Sequence, residues 1–171
     1  IHAFCDVLEI VPADDYSRTS AHIFADTEIR QAILPDAKVR ITIGQAGSPV
    51  GWDPTSDLVV KAYRLLDEQF GLPPVKMFLE KRSPVGAGLG GGSADAAYTL
   101  LMLNEMFSLG LDNEALACYA TKLGSDCAFF VYDRPMLAKG MGEVLESYYA
   151  VQCSSTLLAE PRGIIDGYPL I

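Results

Sequence analysis

Five of the seven residues from Gly86 to Gly92 are glycine, and the run lies between a strand pattern and a helix pattern. Glycine loses more conformational entropy on folding than any other residue, and a generic turn needs only one or two. Five in seven imply a backbone that must take positive φ or let a ligand approach its amides closely. Successive free N–H groups in such a loop form an anion-binding concavity. A helix starting beside it adds unpaired first-turn amides and the positive end of its dipole. A phosphate group is the natural guest. The stretch Pro84-Val85-Gly86-Ala87-Gly88-Leu89-Gly90-Gly91-Gly92-Ser93-Ala94 is therefore the candidate phosphate-binding segment.

The flanks give it a context. Val75, Met77 and Leu79 alternate with Lys76, Phe78 and Glu80, which predicts a strand over 75–81. A helix is expected from Ser93 to about Phe107, with Ser93 as its N-cap, a role compatible with donating to a phosphate oxygen. Upstream, residues 4–11 and 38–43 read as strands. Asp57 or Ser56 caps a helix that runs to Phe70, with Leu58, Ala62, Leu65 and Leu66 on one face. Gly71 ends it before Pro73 and Pro74. Downstream, Asp112 caps a helix through Leu123, Phe129-Phe130-Val131-Tyr132 reads as a short strand, and one more strand is placed within 144–158. Residues 12–37 are polar and weakly periodic, and read as a surface excursion dispensable for nucleotide binding. Mixed short strands and helices without regular βα alternation indicate the α+β class.

Charge and cysteine usage narrow the partners. The chain has 171 residues, half of them hydrophobic, enough for one core with a small annex. Its net charge is −9 and it has no basic run, which argues against a nucleic-acid partner. A local site can still hold a small anion against the overall charge. No stretch approaches the roughly 18 apolar residues of a membrane span, and no signal peptide opens the chain. Cys5, Cys118, Cys127 and Cys153 form no C-x-x-C pair, and His2 and His22 lie far from the later cysteines. Zinc and thiol-redox motifs are absent, and reduced cysteines in a cytoplasmic protein are expected.

Three classes of phosphate loop compete for residues 84–94. The Walker A pattern places a lysine directly after its last glycine, and no glycine here is followed by one. A Rossmann G-x-G-x-x-G fits Gly86, Gly88 and Gly91, but it needs an acid about 20 positions on at the end of a second strand. Glu105 stands there at the end of a helical run, with another helix following. The third class is the GHMP kinase superfamily, whose second motif, P-x-G-x-G-L-G-[SG]-[SG]-[SA]-A, Pro84 to Ala94 closely resembles. Gly88-Leu89-Gly90-Gly91-Gly92-Ser93-Ala94-Asp95-Ala96-Ala97 is similar to the form in the 4-diphosphocytidyl-2-C-methyl-D-erythritol kinase family. Asp57-Leu58-Val59-Val60-Lys61-Ala62-Tyr63-Arg64-Leu65-Leu66 resembles that family's NLVxKAxxLL helix, and Lys122 to Phe130 its LGADVPFF segment. Ala138 to Glu143 resembles ARGxGE, and Asp6 to Ile10 an early DxLxI strand. Order and spacing agree over 51–147, with an anchor at 5–11.

The resemblance implies an ATP-binding N-terminal domain of ribosomal protein S5 domain 2-like topology over 1–143. It makes 144–171 the remnant of a ferredoxin-like C-terminal domain. It implies ATP as phosphoryl donor, Mg2+ arriving with the nucleotide, and a small-molecule acceptor, cytidine diphosphate-linked methylerythritol, phosphorylated on its 2-hydroxyl in the non-mevalonate isoprenoid pathway. Asp126 falls where the family has its general base. A neighbouring GHMP small-molecule kinase and a non-catalytic nucleotide-binding fragment are the alternatives. The family's first strand with its lysine, its cytidine-gripping segment and its C-terminal Gly/Ser-rich motif find no counterpart here. The chain as given is therefore expected to bind nucleotide without turning over the cytidyl substrate.

Individual residues carry readings of their own. Asp126 precedes Cys127-Ala128-Phe129-Phe130, and a carboxylate in apolar company needs a partner or a task. Its structural alternative is to cap the next turn. Asp95 falls in the first helical turn, where an acid favours the dipole. Beside a triphosphate it would repel, so it reads as structural or as an outer partner of magnesium. Lys81 and Arg82 flank the loop, and each either reaches the phosphates or is a solvated strand-end charge. No metal ligand is assigned, because Gly91-Gly92 stand where other branches of the superfamily carry a magnesium-binding serine.

Overall fold

A computed structural model describes residues 5–14, 28–46, 50–140, 144–147, 164–165 and 168–169. The main sheet has four strands: β1 (Val7–Pro12), β2 (Ile29–Ile33), β3 (Val39–Gln45) and β4 (Val75–Lys81), in the order β1-β4-β3-β2. The central pair β3 and β4 is parallel, and each edge strand runs antiparallel to its neighbour. The register sets Ile41 beside Met77 and Ile43 beside Leu79, so the buried β-branched and apolar residues of both strands stack on one face.

A parallel pair needs a crossover, and α1 (Leu58–Phe70) supplies it. Asp57 caps it, its Oδ1 accepting from the Val59 amide at 3.1 Å, and Gly71 at φ 63 ends it. The helix buries Val59, Val60, Ala62, Tyr63 and Leu66, a stripe turned slightly from the expected one, with Leu65 at its half-buried margin. The Tyr63 hydroxyl donates to the Pro73 carbonyl at 2.9 Å and so ties the crossover to the start of β4.

After the glycine loop come α2 (Gly91–Met106), α3 (Asn113–Thr121) and α4 (Cys127–Tyr132). Helix α2 packs against α1, α3 and α4, and its buried side chains join one core with the sheet. Asp112 caps α3 by accepting from the Ala115 amide at 2.8 Å, and the helix stops two residues before the expected Leu123. The architecture is α+β.

Three expectations change here. Phe129-Phe130-Val131-Tyr132 belongs to helix α4 rather than a strand. A short apolar run carries no decisive period, and packing decided: Cys127, Ala128 and Val131 form a helical face set against α2 and α3. Residues 29–33, within the expected surface excursion, are an edge strand paired with β3. That strand leaves Ile29 and Ile33 exposed, which is why its alternation gave no signal. The remainder, 15–27, lies outside the described residues. The strand expected in 144–158 is β6 (Val144–Ser147), paired antiparallel with β5 (Met136–Lys139) across the expected 143/144 boundary; 148–158 lie outside the described residues. A last short ladder joins β7 (Ile164–Ile165) and β8 (Tyr168–Pro169).

Candidate active site

The loop enters from β4 and leaves into α2, with Gly86, Gly88 and Gly90 all at positive φ, 77°, 74° and 71°. Gly90 is fixed twice over. Its φ disfavours any L side chain, and an added Cβ would stand 3.1 Å from Cζ of Phe130. It is also the residue that starts the helix: α2 begins at Gly91, Gly90 is the N-cap, and no side chain caps it. Ser93 is therefore not the N-cap. Its side chain lies near the Cys127 thiol, whose pKa burial pushes up although Ser93 pulls the other way. The Ala94 amide bonds back to the Gly90 carbonyl at 2.9 Å. The amides of Gly91, Gly92 and Ser93 precede that first bond and have no acceptor inside the helix.

The loop divides two hollows. One, of about 440 Å³, is bounded by Trp52, Asp57, Leu58 and the loop, with Lys81, Ser83 and Asp95 at its floor. The other, of about 240 Å³, lies between Gly88–Gly90 and α4, and is lined by Asp126, Phe129, Phe130 and Ala138. Residues 88–90 line both. A phosphate chain along the loop would thus be open to the larger hollow on one side and to Asp126 on the other.

Asp126 sits at the N-cap position of α4 without capping it: its backbone is helical and its side chain takes no amide. It is exposed, and its hydrogen bond is a 3.3 Å contact from the Ser125 hydroxyl. Its company around the smaller hollow is apolar, Leu89, Phe129, Phe130 and Ala138, as expected, while the carboxylate itself is open to solvent. The apolar residues Cys127, Ala128 and Val131 turn inward, away from it.

Lys81 and Arg82 part company. Arg82 is exposed and forks onto Glu80, its Nη2 at 2.6 Å and Nε at 2.9 Å from Oε2. Lys81 is buried, its side chain 5% exposed, and its ammonium bonds both Asp6 and Asp95, the latter at 2.6 Å. It is neither solvated nor free for a phosphate. Burial opposes its charge, but the two carboxylates outweigh this and raise its pKa. Asp6 is held below the usual carboxylate range: burial works against it, and hydrogen bonds from Lys81, Ser83 and Arg82 more than compensate. Burial pushes Asp95 up to about 6, although Lys81 pulls the other way. Asp95 thus takes the structural one of its two expected roles. Sequence reasoning missed this group, yet strand parity carried a signal. Lys81 follows Val75, Met77 and Leu79 on the inward face, and a buried lysine requires carboxylate partners.

A strand, a glycine loop with alternating positive φ and an uncapped helix on this α+β core present unpaired backbone amides where an anion can sit. Residues 57–134, a little under half of the chain, match the GHMP kinases N terminal domain. Its relatives narrow the comparison further. It is 51% identical over 112 residues to 4-diphosphocytidyl-2-C-methyl-D-erythritol kinase of Bacteroides fragilis, covering 66% of this chain and 41% of that protein. The enzyme of the same name from Rhizobium leguminosarum is 40% identical over 141 residues, 81% of this chain and 47% of the relative. A crystal structure of 4-(cytidine 5'-diphospho)-2C-methyl-D-erythritol kinase superposes with a TM-score of 0.52 at 34% identity, over 71% of this chain and 41% of that one. The chain spans less than half the length of these relatives.

Proposed function

We propose that this domain binds ATP with its phosphates on residues 84–94, and that the protein transfers the γ-phosphoryl group to the 2-hydroxyl of 4-diphosphocytidyl-2-C-methyl-D-erythritol. One observation carries the reading: the uncapped start of α2 and the exposed carboxylate of Asp126, which takes only a 3.3 Å contact from Ser125 among the described residues, both border Gly88–Gly90. The amides of Gly91, Gly92 and Ser93 meet phosphate oxygens, and the base and ribose occupy the hollow beside Trp52, Asp57 and Leu58. Asp126 takes the proton of the acceptor hydroxyl as its oxygen bonds to the γ-phosphorus. The bond from that phosphorus to the bridging oxygen breaks, and ADP leaves. Positioning and charge stabilisation supply most of such a barrier.

Among the described residues no three His, Cys, Asp or Glu side chains cluster to hold a metal ion, and Asp95 is engaged by Lys81. We take Mg2+ to arrive with the nucleotide's own phosphates, with no side chain assigned to it. The charge of −9 supports a small-molecule rather than a nucleic-acid partner. The free thiols of Cys5, Cys118 and Cys127 fit a reducing, cytoplasmic setting. We take the ATP-binding domain to run from 1 to 147 rather than 143, so that the β5–β6 hairpin stays whole.

The test is Asp126→Asn in a version that spans the full length of the relatives, assayed for ADP release dependent on the cytidyl substrate. Loss of a general base lowers kcat by about 10²–10⁴ while ADP affinity stays at the parental value. A variant within threefold of the parental kcat removes Asp126 as the base.

A further inference from the structure

Lys81 and Asp95 have no part in that chemistry, yet both are buried charges directly beneath the loop. Lys81 ends the inward stripe of β4, so its ammonium arrives under the first turns of α2. There it meets Asp6 from the segment entering β1 and Asp95 from α2. Asp6 is tied to the loop's entrance: its Oδ1 accepts from the amides of Arg82 at 2.7 Å and Ser83 at 2.8 Å, and its Oδ2 from the Ser83 hydroxyl at 2.7 Å. Asp95 belongs to the loop's exit, four residues past Gly91, and the Thr99 hydroxyl donates to its carbonyl at 2.8 Å. Gly91 rests on the group itself. A Cβ added there would stand 2.5 Å from Ser83 Oγ, 3.2 Å from Asp6 Oδ2 and 3.3 Å from Lys81 Nζ.

We propose that Asp6, Lys81 and Asp95 form a clasp that joins the two ends of the phosphate loop, with Lys81 a positioning residue rather than a phosphate ligand. The inference rests on the reading of residues 84–94 as a phosphate cradle. A loop with five glycines has wide conformational freedom, and a ligand must remove whatever freedom the fold has not. One ammonium bonded to both ends removes much of it beforehand. Its charge is already met by two carboxylates, which leaves little for a nucleotide. The clasp does not hold the other wall of the larger hollow: Trp52 is fixed by its indole bond to Asp57 at 2.9 Å, and Asp57 by capping α1. Loss of the clasp therefore weakens binding of phosphates and leaves recognition of the base alone.

The experiment titrates ADP and adenosine, by calorimetry, into the parent and into Lys81→Met, Asp95→Asn, Leu103→Ala and Gly90→Val. Leu103 is buried further along α2 and controls for destabilisation alone. Lys81→Met and Asp95→Asn are expected to lower ADP affinity at least tenfold and to hold adenosine affinity within twofold. Leu103→Ala is expected to change neither beyond twofold. Should Lys81→Met fail to fold, Asp95→Asn carries the test, since it keeps the side chain's shape and the Lys81–Asp6 pair. ADP affinity within twofold of the parent in Asp95→Asn overturns the clasp. Equal losses of ADP and adenosine also overturn it, because they report a damaged pocket. A parent that binds ADP, and loses it in Gly90→Val but not in Asp95→Asn, keeps the cradle and removes only the clasp. A parent that binds no ADP removes both.

Discussion

Helices α1 and α2 lie side by side and begin in opposite ways. α1 opens on Asp57, whose carboxylate accepts from the Val59 amide and the Trp52 indole. α3 opens in the same manner on Asp112. α2 opens on Gly90, left-handed and with no side-chain cap. Removing a side-chain cap from an ordinary helix costs about 1 kcal/mol, so α1 and α3 hold that stabilisation, and α2 and the short α4 forgo it. In the function proposed above the difference is one of purpose: α1 and α3 satisfy their own amides, whereas α2 leaves them for an anion. Gly90 makes that reading possible, because it starts the helix with no side chain over its amides.

The largest effect should come from closing that open end. Gly90→Val forces a β-branched residue to a φ of 71° and against Phe130. The fold should survive in circular dichroism, while ADP affinity, followed through Trp52, the chain's single tryptophan, falls at least about 100-fold, a loss of some 3 kcal/mol. Retained affinity would make α2 a helix like any other.

The next contrast is in pH. Asp95 beneath α2 is raised to about 6, so the stability it contributes is full below about 3.8 and is lost as pH rises through 6. Asp6 is lowered, and its contribution is lost only as pH falls below the ordinary carboxylate range. Asn at position 95 does not titrate. Between pH 4 and 7 the melting temperature of Asp95→Asn should therefore move upward relative to the parent by several degrees. An unchanged difference across that range would show that Asp95 does not titrate there.

The capped helices give a smaller effect. Asp57→Ala and Asp112→Ala should each lower stability by about 1 kcal/mol in urea unfolding, with Asp57→Ala the greater because the Trp52 bond goes too. Ser93→Ala should be the mildest, within about 0.5 kcal/mol, since Ser93 caps nothing. A loss of a full kcal/mol at position 93 would return it to the capping role its sequence position suggested.

Much of this was legible in the chain. The alternation of Val75, Met77 and Leu79, the caps Asp57 and Asp112, the stop at Gly71 and the glycine loop are local patterns with local physical causes, and each falls within a few residues of its expected place. The misreadings have a common source. Phe129 to Tyr132 has no period that separates strand from helix. β2 carries its isoleucines on an exposed edge. Ser93 looked like a cap because nothing in the sequence says that Gly90 can start a helix unaided.

The sequence by itself determined where the glycine loop and the helix after it fall, because glycine density and helix periodicity act over a few neighbouring residues. Only the tertiary structure decided that Asp6, Lys81 and Asp95 meet. They lie 75 and 14 residues apart, and a buried charge selects its partners through folding, not through spacing. Tertiary structure likewise left Asp126 exposed beside the loop, because the packing of α4 turned its apolar side chains inward and its first carboxylate out.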